Sequence, residues 1–218
     1  MAHRSTSINS IPHELLVDIL GRVASSSFTD LLNAKICCKD FKRAAEEESI
    51  LRQICIKKFP MIHQWLKSAQ VDMFIHRCKC MENPEALYRQ GMVEYFTYED
   101  TQSGLDNLKR AANKGHKEAI YVYGILLLCI GGDSSIHGSE LLDSMGTLQE
   151  CRTQVKAMLG MMWINNHIID QRTNSCHHPK ARSRMQEAWK GLVEIDDDMK
   201  CATCKWNEEV ISLCNMSE

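Results

Sequence analysis

The amino-acid sequence predicts an all-α chain, and three observations carry the prediction. Apolar residues recur at three- and four-residue spacing through most of the length. Val/Thr alternation over strand lengths is nearly absent, and prolines interrupt only at positions 12, 60, 84 and 179. A chain of 218 residues, 44% hydrophobic and 25% charged, is ample to bury a core and too rich in apolar residues for wholesale disorder. Its 26 basic and 28 acidic residues leave a formal net charge of −2, which exerts no general pull on nucleic acid or anionic lipid, so neither is expected as a partner. The longest apolar run, Ala119 to Ile130, falls short of the roughly 20 residues that span a bilayer. The opening MAHRSTSINS lacks the apolar stretch of a secretory signal, so a soluble chain of the nucleus or cytoplasm is expected.

The elements follow in order. Pro12 suits a helix start, where its missing N–H costs nothing, and Ile11, Leu15, Leu16, Ile19, Leu20 and Val23 then form one broad apolar stripe. The segment Ala24-Ser25-Ser26-Ser27-Phe28-Thr29 breaks it. Thr29 or Asp30 is positioned to cap a second helix carrying Leu31, Leu32, Cys38 and Phe41. A further helix is expected through Ile50, Leu51, Ile54 and Cys55 before Pro60. From Pro84 a repeat appears: Ala86, Tyr88 and Gly91 recur 33 residues later as Ala119, Tyr121 and Gly124. Periods in the low thirties mark stacked helix pairs, in which small residues at fixed places let two helices approach closely. Gly115 reads as a left-handed helix terminator, and Gly131-Gly132-Asp133-Ser134-Ser135 as a turn. Leu148 to Ile169 reads as an amphipathic helix with a Met-rich core face, Asn174 to Pro179 as a break, and Ala181 to about Ile195 as a polar helix.

Without a secretory signal, the 11 cysteines are expected to be reduced, and Cys37, Cys38, Cys55, Cys129 and Cys151 to serve as small buried hydrophobes. The tail holds the one metal-like constellation, Cys176-His177-His178, Cys201-x2-Cys204 and Cys214. Cys176, His178, Cys201, Cys204 and Cys214 are its candidate zinc ligands, since two thiolates of a Cys-x2-Cys pair grip one Zn²⁺ and a structural site needs four ligands. The other reading, with no cofactor at all, packs Cys204 and Cys214 with Trp206, Val210 and Leu213 inside a terminal helix. No Gly-rich phosphate loop, Gly-x-Ser-x-Gly or His-Glu-x-x-His is present, so no catalytic residue is assigned.

Residues 8–41 place 17 apolar side chains in 34 positions, more than so short a segment encloses alone. The surplus requires the rest of the chain or another protein. The order Ile11-Pro12-His13-Glu14-Leu15-Leu16, then Asp30-Leu31, then Cys38-Lys39-Asp40-Phe41 resembles the F-box, with Phe41 where many members carry Trp. That resemblance implies a small helical module docking on the Skp-type adaptor of a cullin–RING ubiquitin ligase. It implies adaptor contacts from Ile11, Pro12, Leu15, Leu16, Ile19, Leu20, Leu31 and Leu32, with Phe41 as the aromatic anchor, and loss of adaptor capture in Leu16→Asp.

Ala111-Ala112-x2-Gly115-His116-x-Glu118-Ala119-x-Tyr121-x2-Gly124 resembles the Sel1-like branch of the tetratricopeptide superfamily, over one and a half units. Such helix pairs imply a surface for an unidentified protein target. With the Asn83-Pro84-Glu85-Ala86-Leu87-Tyr88-Arg89 phrase and the Cys-rich end, the whole is similar to a group of plant F-box proteins. The expected organisation is an F-box at 7–56, a helical linker at 57–83, a Sel1-like or tetratricopeptide-like region at 84–175 and a Cys/His-containing tail at 176–218. The implied function is substrate recognition within a ubiquitin ligase, without catalysis of its own. A helical interaction scaffold outside any ligase, or a zinc-stabilised binding module, is the alternative.

Overall fold

A computed structural model of the chain describes residues 11–61, 68–146, 148–166, 168 and 202–216. The regular structure among the described residues is all helix, and the chain divides into two compact units after Gln90. The first unit contains α1 (His13–Ser26), α2 (Phe28–Cys37), α3 (Lys39–Ala45), α4 (Glu48–Leu51), α5 (Ala69–Cys80) and the start of α6 (Pro84–Phe96). The second contains the rest of α6, then α7 (Thr101–Asn113), α8 (Lys117–Ile130), α9 (Asp133–Asp143), α10 (Gln149–Leu159) and α11 (Ala202–Met216). No helix among the described residues is long and apolar enough to cross a membrane.

In the first unit α1 starts directly after Pro12, whose carbonyl accepts the first helical bond from the Leu16 N–H. The cap of α2 is Ser27 rather than Thr29 or Asp30. Ser27 is extended, and its hydroxyl accepts from the Asp30 N–H at 3.2 Å, leaving the two expected caps inside the first turn. The single helix expected through Phe41 is broken at Cys38. This residue is also extended, and its Sγ caps α3 by accepting from the Phe41 N–H at 3.4 Å. Cys38 is therefore half-buried and polar in role, and Cys37 is exposed; neither is the buried hydrophobe expected. Cys55 is half-buried, Cys129 and Cys151 are buried as anticipated, and Cys78 joins them.

The core of this unit gathers Leu16, Leu20, Ala24, Leu31, Ala44, Ile50, Ile54, Ile56, Cys78 and Ala86. Residues 57–83 contribute to it directly. Phe74 and Ile75 of α5 pack on the cluster, and Phe28, Phe59 and Phe74 form an aromatic triangle with centroids 5.1 to 5.7 Å apart. The expected helix through Cys55 is shorter, since α4 ends at Leu51 and Ile54 and Ile56 enter the core from irregular chain.

Two helix pairs, α6–α7 and α8–α9, organise the second unit. The repeated glycines explain its period. A Cβ on Gly91 would stand 2.9 Å from Leu108 Cγ and 3.0 Å from the Gly104 carbonyl oxygen, and one on Gly124 would stand 2.8 Å from Leu142 Cγ. Each first-helix glycine thus meets a second-helix glycine and leucine, Gly104 with Leu108 and Gly138 with Leu142, so two full pairs are built. Gly115 is left-handed with φ 80°, as its position predicts. The turn after α8 is confined to Gly131 and Gly132 (φ 78° and 58°), which frees Asp133 to begin α9 immediately.

The helix expected from Leu148 to Ile169 stops at Leu159. Beyond it Asn165 and Asn166 donate backbone and side-chain hydrogen bonds to the carbonyls of Tyr95, Phe96 and Thr97 at 2.7 to 3.1 Å, a geometry that a continuing helix would not provide. Only Met158 of the expected Met stripe is fully core; Met161 is exposed. The break at 174–179 and the polar helix at 181–195 lie outside the described residues.

Candidate functional site

The first two helices separate adjacent aliphatic residues to opposite fates. On α1 Leu16, Leu20 and Ala24 recur at four-residue spacing and are buried, while Leu15 and Ile19, one position earlier and also four apart, are 54% and 48% exposed. A step of one residue turns a side chain by about 100°, so two rows of equal hydropathy face different surroundings. On α2 Leu31 is buried, whereas Leu32 and Ile36, again four apart, are 45% and 84% exposed. Pro12 is exposed, and Ile11 and Phe41 are half-buried against the core.

The nine expected contact residues therefore divide. Leu16, Leu20 and Leu31 form the unit's own core, Ile11 and Phe41 support it, and Pro12, Leu15, Ile19 and Leu32 reach the surface. Ile36 was not anticipated, although its spacing from Leu32 could have signalled it. One exposed leucine needs no explanation, but i,i+4 aliphatic pairs on two packed helices form the kind of surface a partner covers. Each of these helices also carries an ion pair: His13 Nε2 lies 3.2 Å from Glu47, and Lys35 lies 3.0 Å from Glu46, whose carboxyl it holds below the usual range by hydrogen bond and charge.

The Asn83–Arg89 phrase has a structural task. Asn83 Nδ2 donates to the carbonyls of Leu51 and Ile54 at 2.9 and 3.0 Å, and its Oδ1 accepts from the Glu85 and Ala86 N–H groups, capping α6. Pro84 follows in the first helical position. One turn on, buried Arg89 donates to the carbonyls of Ile56, Phe59 and Pro60 and to Glu85 Oε1 at 2.7 Å. Two buried side chains thus satisfy the last carbonyl of α4 and four of the irregular chain after it, which keeps that chain against α6.

Two of the described histidines serve local structure: His116 Nδ1 accepts from the Ala119 N–H as the cap of α8, and His76 lies 3.7 Å from Cys80 Sγ one turn away. Of the candidate zinc ligands, Cys176, His178 and Cys201 and the side chain of Cys204 lie outside the described residues, and Cys214 is half-buried. Among the described residues no three His, Cys, Asp or Glu are placed to hold a metal. The terminal helix does bury Trp206, Val210 and Leu213, the packing the sequence offered as the other reading. Sequence reasoning missed Glu209, which is buried between them. Its carboxylate accepts from Tyr121 Oη at 2.8 Å and from Arg152 Nε at 3.3 Å and Nη2.

A small helical unit with exposed aliphatic pairs, followed by glycine-packed helix pairs, defines an all-helical protein of repeat type. Comparison with known families narrows it. A profile described as F-box-like matches residues 8–57, and one described as plant tetratrico peptide repeats matches residues 56–160. An F-box protein of Arabidopsis thaliana is 34% identical over 177 residues, covering 77% of this chain and 59% of the relative. A second from the same plant is 30% identical over 124 residues, covering 57% of this chain and 75% of the relative, and a third is 27% identical over 122 residues. The chain thus spans little more than half the length of the first of these relatives. No solved structure matches it. The chain belongs to the F-box proteins that carry plant tetratricopeptide-type repeats.

Proposed function

We propose that this protein is the substrate-recognition subunit of a Skp–cullin–F-box ubiquitin ligase, working in the nucleus or cytoplasm. The observation that carries the proposal is the set of exposed aliphatic pairs, Leu15 and Ile19 on α1 with Leu32 and Ile36 on α2, inside the segment the F-box family matches. Covering one such side chain is worth about 1.5–3 kcal/mol, so four make a docking anchor. The Skp-type adaptor covers them, and the helix pairs that follow capture a protein target. The contribution of this subunit is selection and positioning; transfer of ubiquitin belongs to other subunits, and no residue here is assigned to catalysis.

Burial of Leu16 changes the variant that tests this. Leu16→Asp places an unpaired charge in the unit's own core and reports on folding, not docking. Ile19→Asp and Leu32→Asp leave the core intact. Capture of purified full chain by a Skp-type adaptor is expected for the wild type and at least 30-fold weaker for Ile19→Asp, with unchanged helix content. Equal capture of the two overturns the proposal in favour of a scaffold outside the ligase.

A further inference from the structure

α5 turns Phe74, Ile75 and Cys78 toward the core of the first unit and leaves Met73, His76 and Cys80 exposed. The three outward residues stand at i, i+3 and i+7, the spacing that lines side chains along one face of a helix. An exposed methionine alone needs no explanation, and neither does an exposed cysteine. Together with His76 they bring a thioether, an imidazole and a thiol to one stripe. Two of the three are already within reach of each other, since His76 Nδ1 lies 3.7 Å from Cys80 Sγ. With nitrogen about 2.0 Å and sulfur about 2.3 Å from a bound metal, a trigonal arrangement sets those atoms about 3.8 Å apart. The pair is spaced for a metal between them. The end of α5 is held in place: the Met81 N–H donates to the Arg77 carbonyl at 3.0 Å, and the Asn83 N–H to the Cys78 carbonyl at 2.9 Å. A cation in this last turn also meets the negative end of the helix dipole.

The donor set selects the metal. Structural zinc takes four ligands from Cys, His and carboxylate, and Asp72, one turn before His76, does not join the pair to build toward such a set. A thiolate and a thioether are soft donors, which favour the cuprous ion, and an imidazole suits copper as well. We propose that Met73, His76 and Cys80 form a surface site for one Cu(I), held by Met73 Sδ, His76 Nδ1 and Cys80 Sγ. Binding takes Cys80 as the thiolate and releases its proton to solvent. The site shares no residue with the candidate zinc ligands of the tail, and it goes beyond the ligase reading without depending on it.

The test uses the reduced full chain, without oxygen, in a series of buffered free Cu(I) concentrations. Each sample is alkylated with iodoacetamide, and labelling of individual cysteines is read by peptide mass spectrometry. Cys37 is the internal control, exposed like Cys80 but with its thiol donating to the Asn33 carbonyl and no imidazole beside it. Cys80 is expected to be protected at a free Cu(I) concentration about 10-fold or more below that which protects Cys37. His76→Ala and Met73→Leu, both at exposed positions, are each expected to raise the Cys80 midpoint by about 10-fold or more with helix content unchanged, since even the partners of metal ligands are worth that much. Zn(II) at the same free concentration is expected to leave Cys80 labelled. Protection of Cys80 and Cys37 at the same Cu(I) concentration, or an unmoved Cys80 midpoint in His76→Ala, overturns the site. An unmoved midpoint in Met73→Leu, or equal protection by zinc, overturns its assignment to the cuprous ion.

Discussion

α1 and α8 are both 14 residues long, yet α1 buries four residues, Leu16, Leu20, Gly21 and Ala24, while α8 buries ten. α8 is enclosed by α7, α9, α10 and α11, so nearly every side chain it carries is used to hold its own unit together. α1 packs on α2, α3 and α4 with one side and keeps Leu15 and Ile19 outside. Similar aliphatic content therefore does two different jobs. In α8 it makes a keel; in α1 part of it makes a core and Leu15 and Ile19 stay exposed. Hydrophobicity says that a residue is to be covered, and only the arrangement of neighbouring helices says by what.

The comparison is most sharply tested by substituting neighbours on α1. Leu16→Asp is expected to lower stability by about 3–5 kcal/mol, an unpaired charge in a core, while Leu15→Asp changes it by less than about 0.5 kcal/mol; denaturant unfolding of the two variants checks the difference. Similar losses for both would mean that α1 has no free face.

In the second unit, Gly104→Ala is expected to cost about 1–3 kcal/mol, because its Cβ would stand 2.7 Å from the backbone nitrogen of Tyr95 and the two helices would have to separate. Gly146→Ala, with nothing within 4 Å of the new Cβ, is the matched control and is expected to be neutral. A thermal melt of each reports whether the keel depends on close approach.

Asn83→Ala is expected to cost about 1–3 kcal/mol, since it removes the cap of α6 and leaves the carbonyls of Leu51 and Ile54 without their donor. Asn83→Asp keeps the cap acceptor but sets a buried carboxylate against those two carbonyls, so chemical denaturation should place it no higher than Ala.

A smaller effect is expected with pH. Burial pushes the Cys78 thiol up from 9.0 to about 11, so the folded chain holds that proton more tightly than the unfolded chain does. Stability from this group is complete below about 9 and falls as pH rises toward 11, the opposite of a paired carboxylate. Thermal midpoints measured across that window should fall less steeply in Cys78→Ala than in wild type. Among the described cysteines, exposed Cys37 and Cys80 are expected to react first with a thiol reagent and Cys78 among the last.

The all-helical class, the helix start after Pro12, the terminator at Gly115 and the 33-residue repeat were all legible, because each is written in local spacing. The inward and outward rows of α1 were not. Leu15 and Leu16 are the same residue type one position apart, and a stripe broad enough to include both has no internal signal for which row faces α3 and α4. The caps at Ser27 and Cys38 were missed because the apolar pattern runs through them, while extended backbone at those two residues ends each helix. Gly104 and Gly138 could have been found, since their spacing of 34 shadows that of Gly91 and Gly124. Asn83 with Leu51, and Glu209 with Tyr121 and Arg152, could not: each joins residues tens of positions apart, and nothing in the local pattern of one names the other.

The central claim is that Leu15, Ile19, Leu32 and Ile36 are left outside the fold for a partner. Titration of a Skp-type adaptor into the full chain, wild type beside the double variant Leu15→Asp/Ile19→Asp, tests it most directly. The account predicts saturable one-to-one binding by the wild type and none by the double variant, with both chains unfolding at the same denaturant concentration. Undiminished binding by a folded double variant, or no binding by the wild type, would contradict it.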